Sequence, residues 1–131
     1  VSLEVHVVTP EREVWTGEAQ MVVARSVEGE VGILPGHAPL LVRLAIGALR
    51  IQRPDGTWES AVEDGGFLHV TTEGGTTRVD VLAEHAELAH EIDVRAAEFR
   101  AEAARRQLEE TGHAAARAEL AKALARLDLR G

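Results

Sequence analysis

Between residues 84 and 88 the hydrophobic pattern of this chain changes period, from alternation at every second residue to the spacing of a helix. A strand buries every other side chain and a helix every third or fourth, so neither half can continue the other's element. The chain is therefore read as two units, a β body over residues 1–86 and a helical unit over 87–131.

In the first unit the run from Ala48 to Arg53 alternates, Pro54-Asp55-Gly56-Thr57 supplies turn chemistry, and Trp58, Ser60 and Val62 resume one face of a returning strand. A second hairpin is expected about Glu73-Gly74-Gly75-Thr76, between Phe67 to Thr71 and Arg78 to Leu82, and Asp64-Gly65-Gly66 marks a tight bend. Further strands fall at Leu3 to Val8, Gln20 to Ala24 and Leu40 to Leu44. Many short strands punctuated by Gly and Pro, with no helical pattern between them, predict a β-sandwich or barrel.

In the second unit alanine becomes abundant, and Asp93 is placed to cap a helix from Val94 to Glu110. Thr111-Gly112-His113 breaks the run, and a second helix follows from Ala114 to Leu127 with Leu120, Leu124 and Leu127 as its apolar stripe. The short connection makes this an antiparallel α-helical hairpin. Its larger apolar residues are few, among them Leu88, Ile92, Phe99 and Leu108, so it must lean on the sandwich or on another protein, and where the two docking options are close in free energy it can switch between them.

Charge divides at nearly the same place. The net charge of −8 resides entirely in residues 1–88, where fourteen acids face six arginines, while residues 89–131 balance at eight of each sign. Such a body repels nucleic acid and anionic lipid at long range, so neither is expected as the main partner. The absence of cysteine excludes disulfides, thiolate metal sites and a cysteine nucleophile, and it fits a reducing compartment. The opening VSLEVHVV has no signal-peptide or membrane-span character, so a soluble protein without membrane insertion is expected.

Catalytic arrangements are hard to find. The histidines at 6, 37, 69, 85, 90 and 113 form no i, i+4 pair, the three serines lie in no nucleophile elbow, and no glycine-rich phosphate loop is present. The expectation is a protein that is not an enzyme and holds no metal. What remains is EGEVGILPGHAPLL at 28–41, where Pro35-Gly36 suits a turn with positive φ at the glycine and Pro39 restricts Ala38 to extended backbone. A plain connection between strands explains the prolines. It does not explain Glu28 and Glu30 flanking Gly29, which do nothing for a core and suit contact with polar or basic groups of a partner.

That run, followed by DGGFLHV at 64–70 and RAELAKALARL at 117–127, resembles the epsilon subunit of bacterial F-type ATP synthases over essentially the whole chain. The resemblance implies a β-sandwich of about ten strands plus a C-terminal helical hairpin, in a non-catalytic central-stalk rotor subunit at the cytoplasmic face of the plasma membrane, peripherally attached. Its implied partners are the gamma subunit, which the sandwich clamps, and the c-ring, whose polar loops it touches through Glu28, Gly29, Glu30 and His37. The hairpin is then a regulatory arm. Extended into the catalytic head, it would bring basic side chains to an acidic loop of the alpha and beta subunits and block hydrolysis. The basic residues carried over to that role are Arg105, Arg106, Arg117, Lys122, Arg126 and Arg130, with Arg105 and Arg106 taken to end the first helix, where cations favour its dipole.

Some members of the family bind ATP in the folded arm through Ile/Leu-Asp-x-x-Arg-Ala. Here Ile92, Asp93 and Ala97 match, but the arginine stands one residue early, at Arg95. One residue is about 100° of helix rotation, so weak ATP binding or none is predicted even with Lys122 and Arg126 in reach of phosphates, and no cofactor is expected. Two other readings compete: a free-standing sandwich that binds a small ligand or senses nucleotide, and a β-barrel metal enzyme using His37 and His69.

Overall fold

The computed structural model describes residues 2–130. Among these, ten strands precede the helices: β1 (Leu3–Val8), β2 (Glu13–Ala19), β3 (Met21–Ser26), β4 (Gly29–Ile33), β5 (Leu40–Leu44), β6 (Gly47–Gln52), β7 (Trp58–Glu63), β8 (Gly66–Glu73), β9 (Thr76–Ala83) and β10 (Ala86–Leu88). A 3-10 turn (Ala89–Glu91) leads into α1 (Val94–Thr111) and α2 (Ala114–Arg130). The sheet extends past residue 86 because Leu88, buried, pairs with Ala61 and closes that end of the core.

The turns follow from their residues. In β8–β9, Glu73 pairs with Thr76 across Gly74 and Gly75, both at positive φ, the loop a tight twisted hairpin requires. The Arg53 amide donates to the Thr57 carbonyl at 2.8 Å, closing the β6–β7 hairpin around Pro54 and Asp55.

Two layers result. One runs β4-β3-β6-β7-β10 and the other β5-β8-β9-β1-β2, joined at a corner where Ser26 of β3 meets Leu44 of β5. Pairing is antiparallel except between β1 and β9. Alternate residues point inward, so Leu3, Val5, Val7, Leu49, Ile51, Leu68, Val70, Val79 and Val81 fill the space between the layers with no solvent exposure.

The arm folds back on this body. Asp93 caps α1 by accepting from the Ala96 amide at 3.0 Å, and Gly112, at φ 67°, ends it as its N–H donates to the Leu108 carbonyl. The seam uses smaller residues than the leucine stripe expected. Ala97, Ala101 and Ala104 are buried on α1, and Ala116 and Ala123 on α2, with Leu108, Leu120 and Leu127 half-buried between them. On α2 the series 116, 120, 123, 127 is one stripe of period 3.5, and Leu124 lies beside it, 37% exposed. Phe99 points outward at 71% exposure. The other side of α2 rests on β6 and β7.

Candidate functional site

Where the arm meets the body, charge replaces the missing apolar area. The bend after β7 turns on Gly65 and Gly66, at φ 101° and 141°, and a side chain on Gly66 would stand 2.0 Å from the Leu82 carbonyl. Only glycine fits there, and the bend presents Asp64 to α2. There Arg126 donates from Nη1 to Asp64 Oδ1 at 2.8 Å and from Nη2 to Oδ2 at 2.9 Å, while its Nε donates to Glu87 Oε1 of β10 at 2.5 Å. Nη1 also reaches the Lys122 carbonyl at 2.9 Å. Burial works against the guanidinium charge, but the bonds it donates to Asp64 and Glu87 outweigh that and raise the pKa above the ordinary value.

A second arginine secures the root of the arm. Arg12, in the β1–β2 turn, donates to both carboxylate oxygens of Glu91 at 2.8 and 2.9 Å. Glu91 also accepts from the Leu88 amide at 2.9 Å. The Arg12 bond and that amide hold the Glu91 carboxyl down at about 2. The arm is thus pinned at its root by Arg12–Glu91 and near its far end by Arg126 with Asp64 and Glu87. Between the pins lies an open cleft of about 590 Å³ lined by Glu11, His85, Arg100, Glu119 and Lys122 as well as by pin residues.

The residues proposed from sequence are distributed differently from the expectation. Glu28, Gly29 and Glu30 form an exposed tip in which the Ser26 hydroxyl donates to the Gly29 carbonyl at 2.7 Å and accepts from the Glu28 amide at 3.1 Å. His37 is not beside them. It closes the turn at the opposite end of β4, where its amide bonds the Leu34 carbonyl across Pro35 and Gly36, the latter at φ 86° as anticipated. A strand of this length separates the two loops by roughly 13 Å. Thr72 and Thr77 fasten the His37 loop to β8 and β9 through bonds to the His37 carbonyl and the Gly36 amide.

The basic residues also divide. Arg117 is exposed, Lys122 pairs with Glu119 at 3.2 Å, and Arg126 is committed to the body, so in this arrangement no continuous basic face is on display. Arg105 and Arg106 are exposed, but α1 continues to Thr111 and its last turn holds no cation, so the dipole argument fails for them. The side chain of Arg130 lies outside the described residues. Of the nucleotide motif, Ile92 and Ala97 are buried, Asp93 serves as the helix cap, and Arg95 points to solvent; none of the four lines the cleft that Lys122 and Arg126 border.

Sequence reasoning missed Asp64 and Glu87. The available signal was the acid pair Glu63-Asp64 beside Gly-Gly, which turn chemistry alone does not call for. Also unforeseen is an apolar row on the outer face of the second layer. Phe67 and Leu82 are directly paired there at 46% and 52% exposure, next to Val8 on β1, and Leu41 on β5 is 65% exposed.

This β body with a pinned two-helix arm matches a known family. The family model described as the ATP synthase delta/epsilon chain β-sandwich domain covers residues 2–103. The chain belongs to that family. Among other delta/epsilon chains, the ATP synthase epsilon chain of Thermobifida fusca (strain YX) is 49% identical over 128 residues, spanning 95% of this chain and 89% of the relative. That of Streptomyces coelicolor (strain ATCC BAA-471 / A3(2) / M145) is 42% identical, spanning 90% of each. A chain in the Euglena gracilis mitochondrial ATP synthase structure of OSCP, F1 and c-ring superposes with a TM-score of 0.78 at 25% identity, covering 97% of this chain and 79% of the other. A chain of the Tetrahymena thermophila central stalk and c-ring shares the fold at a TM-score of 0.61 and 19% identity, covering 98% and 96%. Among the described residues, no helix of this family member is long and apolar enough to cross a membrane.

Proposed function

We propose that this chain is the non-catalytic epsilon subunit of a proton-translocating F-type ATP synthase, peripheral at the cytoplasmic face of the plasma membrane, coupling c-ring rotation to the catalytic head through gamma. Its arm brakes ATP hydrolysis when released. The observation that carries the braking role is the way the arm is held: it rests on β6 and β7 through α2 and is fastened by two arginine pins, so it is separable from a body that keeps its own core. Release turns Arg126 and Lys122 outward beside Arg117, and that basic helix then has the chemistry to meet acidic groups of the alpha and beta subunits. The row of Phe67, Leu82 and Leu41 is the surface assigned to gamma, since an exposed apolar row on a sheet face marks an interaction site. The tip at Glu28, Gly29 and Glu30 is assigned to the polar loops of the c-ring, and His37 contributes to that contact along the length of β4.

Nucleotide has little to hold here. Arg126 directs four of its N–H bonds to Asp64, Glu87 and the Lys122 carbonyl, so the body's own carboxylates take the place of a bound anion. Weak ATP binding or none is the expected result. The whole reading is tested by reconstitution with gamma and the catalytic head. The chain should co-purify with gamma, and truncation after Asp93, which spares β10 and Glu91, should raise ATP hydrolysis. A chain that does not bind gamma sinks the rotor assignment, and unchanged hydrolysis sinks the brake.

A further inference from the structure

The bend that presents Asp64 contains a second carboxyl that the pin does not use. Glu63 ends β7 in register with Gly47 and Ala86 and has no solvent exposure. It shares the inward face of β7 with Ala61, so its side chain is directed to the sandwich interior while its neighbour Asp64 is directed to α2. Glu63 Oε1 accepts from the Gly65 amide at 2.6 Å, and Oε2 has no hydrogen-bond partner among the described residues.

Charged groups stand on the elements packed round it: Asp64 in the bend, Arg43 on β5, Glu84 and His85 in the β9–β10 turn, Glu87 on β10, Arg25 next to Gly47, and Lys122 and Arg126 on α2. None of them bonds to Glu63, and on α2 Arg126 is engaged with Asp64 and Lys122 with Glu119. Burial raises the Glu63 pKa most, the Gly65 amide pulls it back, and Asp64 adds to the rise, leaving it at about 8 instead of 4.5. At neutral pH this is a protonated acid inside the sheet.

We infer that Glu63 is a proton-responsive catch beneath the pin: losing its proton drives the bend open to water, draws Asp64 away from Arg126 and frees the far end of the arm. Only a short segment has room to give. Gly66 is held in register between Leu44 and Ala83 and Glu63 by its own strand partners, so opening is confined to Asp64 and Gly65. It breaks two backbone bonds, Asp64 amide to His85 carbonyl and Glu84 amide to Gly65 carbonyl, each 3.0 Å, together with the bond from the Gly65 amide to Glu63 Oε1. The closed bend binds the proton more tightly than the open one. The equilibrium therefore shifts toward opening by about tenfold per pH unit between 4.5 and 8 and levels off above 8. Alkaline conditions release the arm.

This inference rests on the reading of the arm as separable, and its test uses docking alone on the full isolated chain, so its failure leaves the rotor assignment untouched. The chain has no cysteine, so a Glu73→Cys, Ala115→Cys pair at exposed positions on body and α2 accepts a donor and an acceptor dye selectively. The urea midpoint of arm release is read from pH 5 to 9, with Trp15 and Trp58 fluorescence reporting the body. The expected result is a midpoint that falls from pH 5 to 8, stays level to 9 and precedes unfolding of the body, while Glu63→Gln holds one midpoint throughout. A level midpoint in the parent chain, a parallel fall in Glu63→Gln, or arm release that coincides with body unfolding overturns it. Should Glu63→Gln not fold, Glu63→Leu replaces it, and the carboxyl carbon signal of Glu63 in the parent chain decides: a titration near 4.5 with the arm docked refutes the catch.

Discussion

Arg126 and Asp64, 62 residues apart in sequence, meet in a two-pronged ion pair with 8% and 5% of their side chains exposed. A buried pair that loses one member ordinarily costs about 3–5 kcal/mol, because the remaining charge is stranded. Here the stranded partner sits on a separable helix and escapes to water when that helix leaves. The pin therefore governs the position of the arm more than the stability of the body.

Asp64→Ala should undock α2 without unfolding the sandwich. Hydrogen exchange by mass spectrometry is expected to show amides of residues 114–129 losing protection while β1, β8 and β9 keep theirs. Loss of protection in both regions together would mean that arm and body form one cooperative unit.

The glycines of the two bends should differ sharply in tolerance. Gly66→Ala places a methyl 2.0 Å from the Leu82 carbonyl and should cost more than about 3 kcal/mol, read as loss of a folded species or a large fall in Tm. Gly74→Ala meets nothing within 4 Å and pays only for its left-handed backbone, about 1–2 kcal/mol.

The root pin has its own pH signature. Glu91 has a depressed pKa in the folded chain, so its contribution is present above the unfolded value of 4.5 and is lost as pH falls toward about 2. Arg12 is 44% exposed, which limits the pair to about 1 kcal/mol or less. Carboxyl NMR should find Glu91 titrating below the ordinary carboxylate range, and Arg12→Ala should raise it toward that range.

Much of the architecture was legible in the sequence because local chemistry and long-range pattern agree there. Pro35-Gly36, Gly74-Gly75 and Asp93 each did what their backbone preferences dictate. The arm seam was misread because Leu124 has the right spacing to its neighbours, yet alanines at 116 and 123 let the helices approach and leave it at the margin. Of the pin, only the acid pair beside Gly65-Gly66 left a local signal, and it did not name a partner. Asp64, Glu87 and Arg126 are brought together by the fold of two units, and a carboxylate in a bend or on a strand does not show that a guanidinium arrives from a distant helix.

The apolar row should separate binding from folding. Phe67→Glu with Leu82→Glu removes an exposed pair from the sheet face, and a thermal melt should change little because neither side chain belongs to the core. Co-purification with gamma should be lost. Retained binding would move the gamma surface elsewhere on the body.

ATP hydrolysis by the reconstituted enzyme tests the pinned-brake account most directly, comparing the parent chain with Asp64→Ala alone and with Arg126→Ala added. Freed from Asp64, the arm should lower hydrolysis several-fold, and loss of the Arg126 guanidinium should restore much of it, since the same group serves both positions. Equal hydrolysis with the parent chain and with Asp64→Ala would contradict the account.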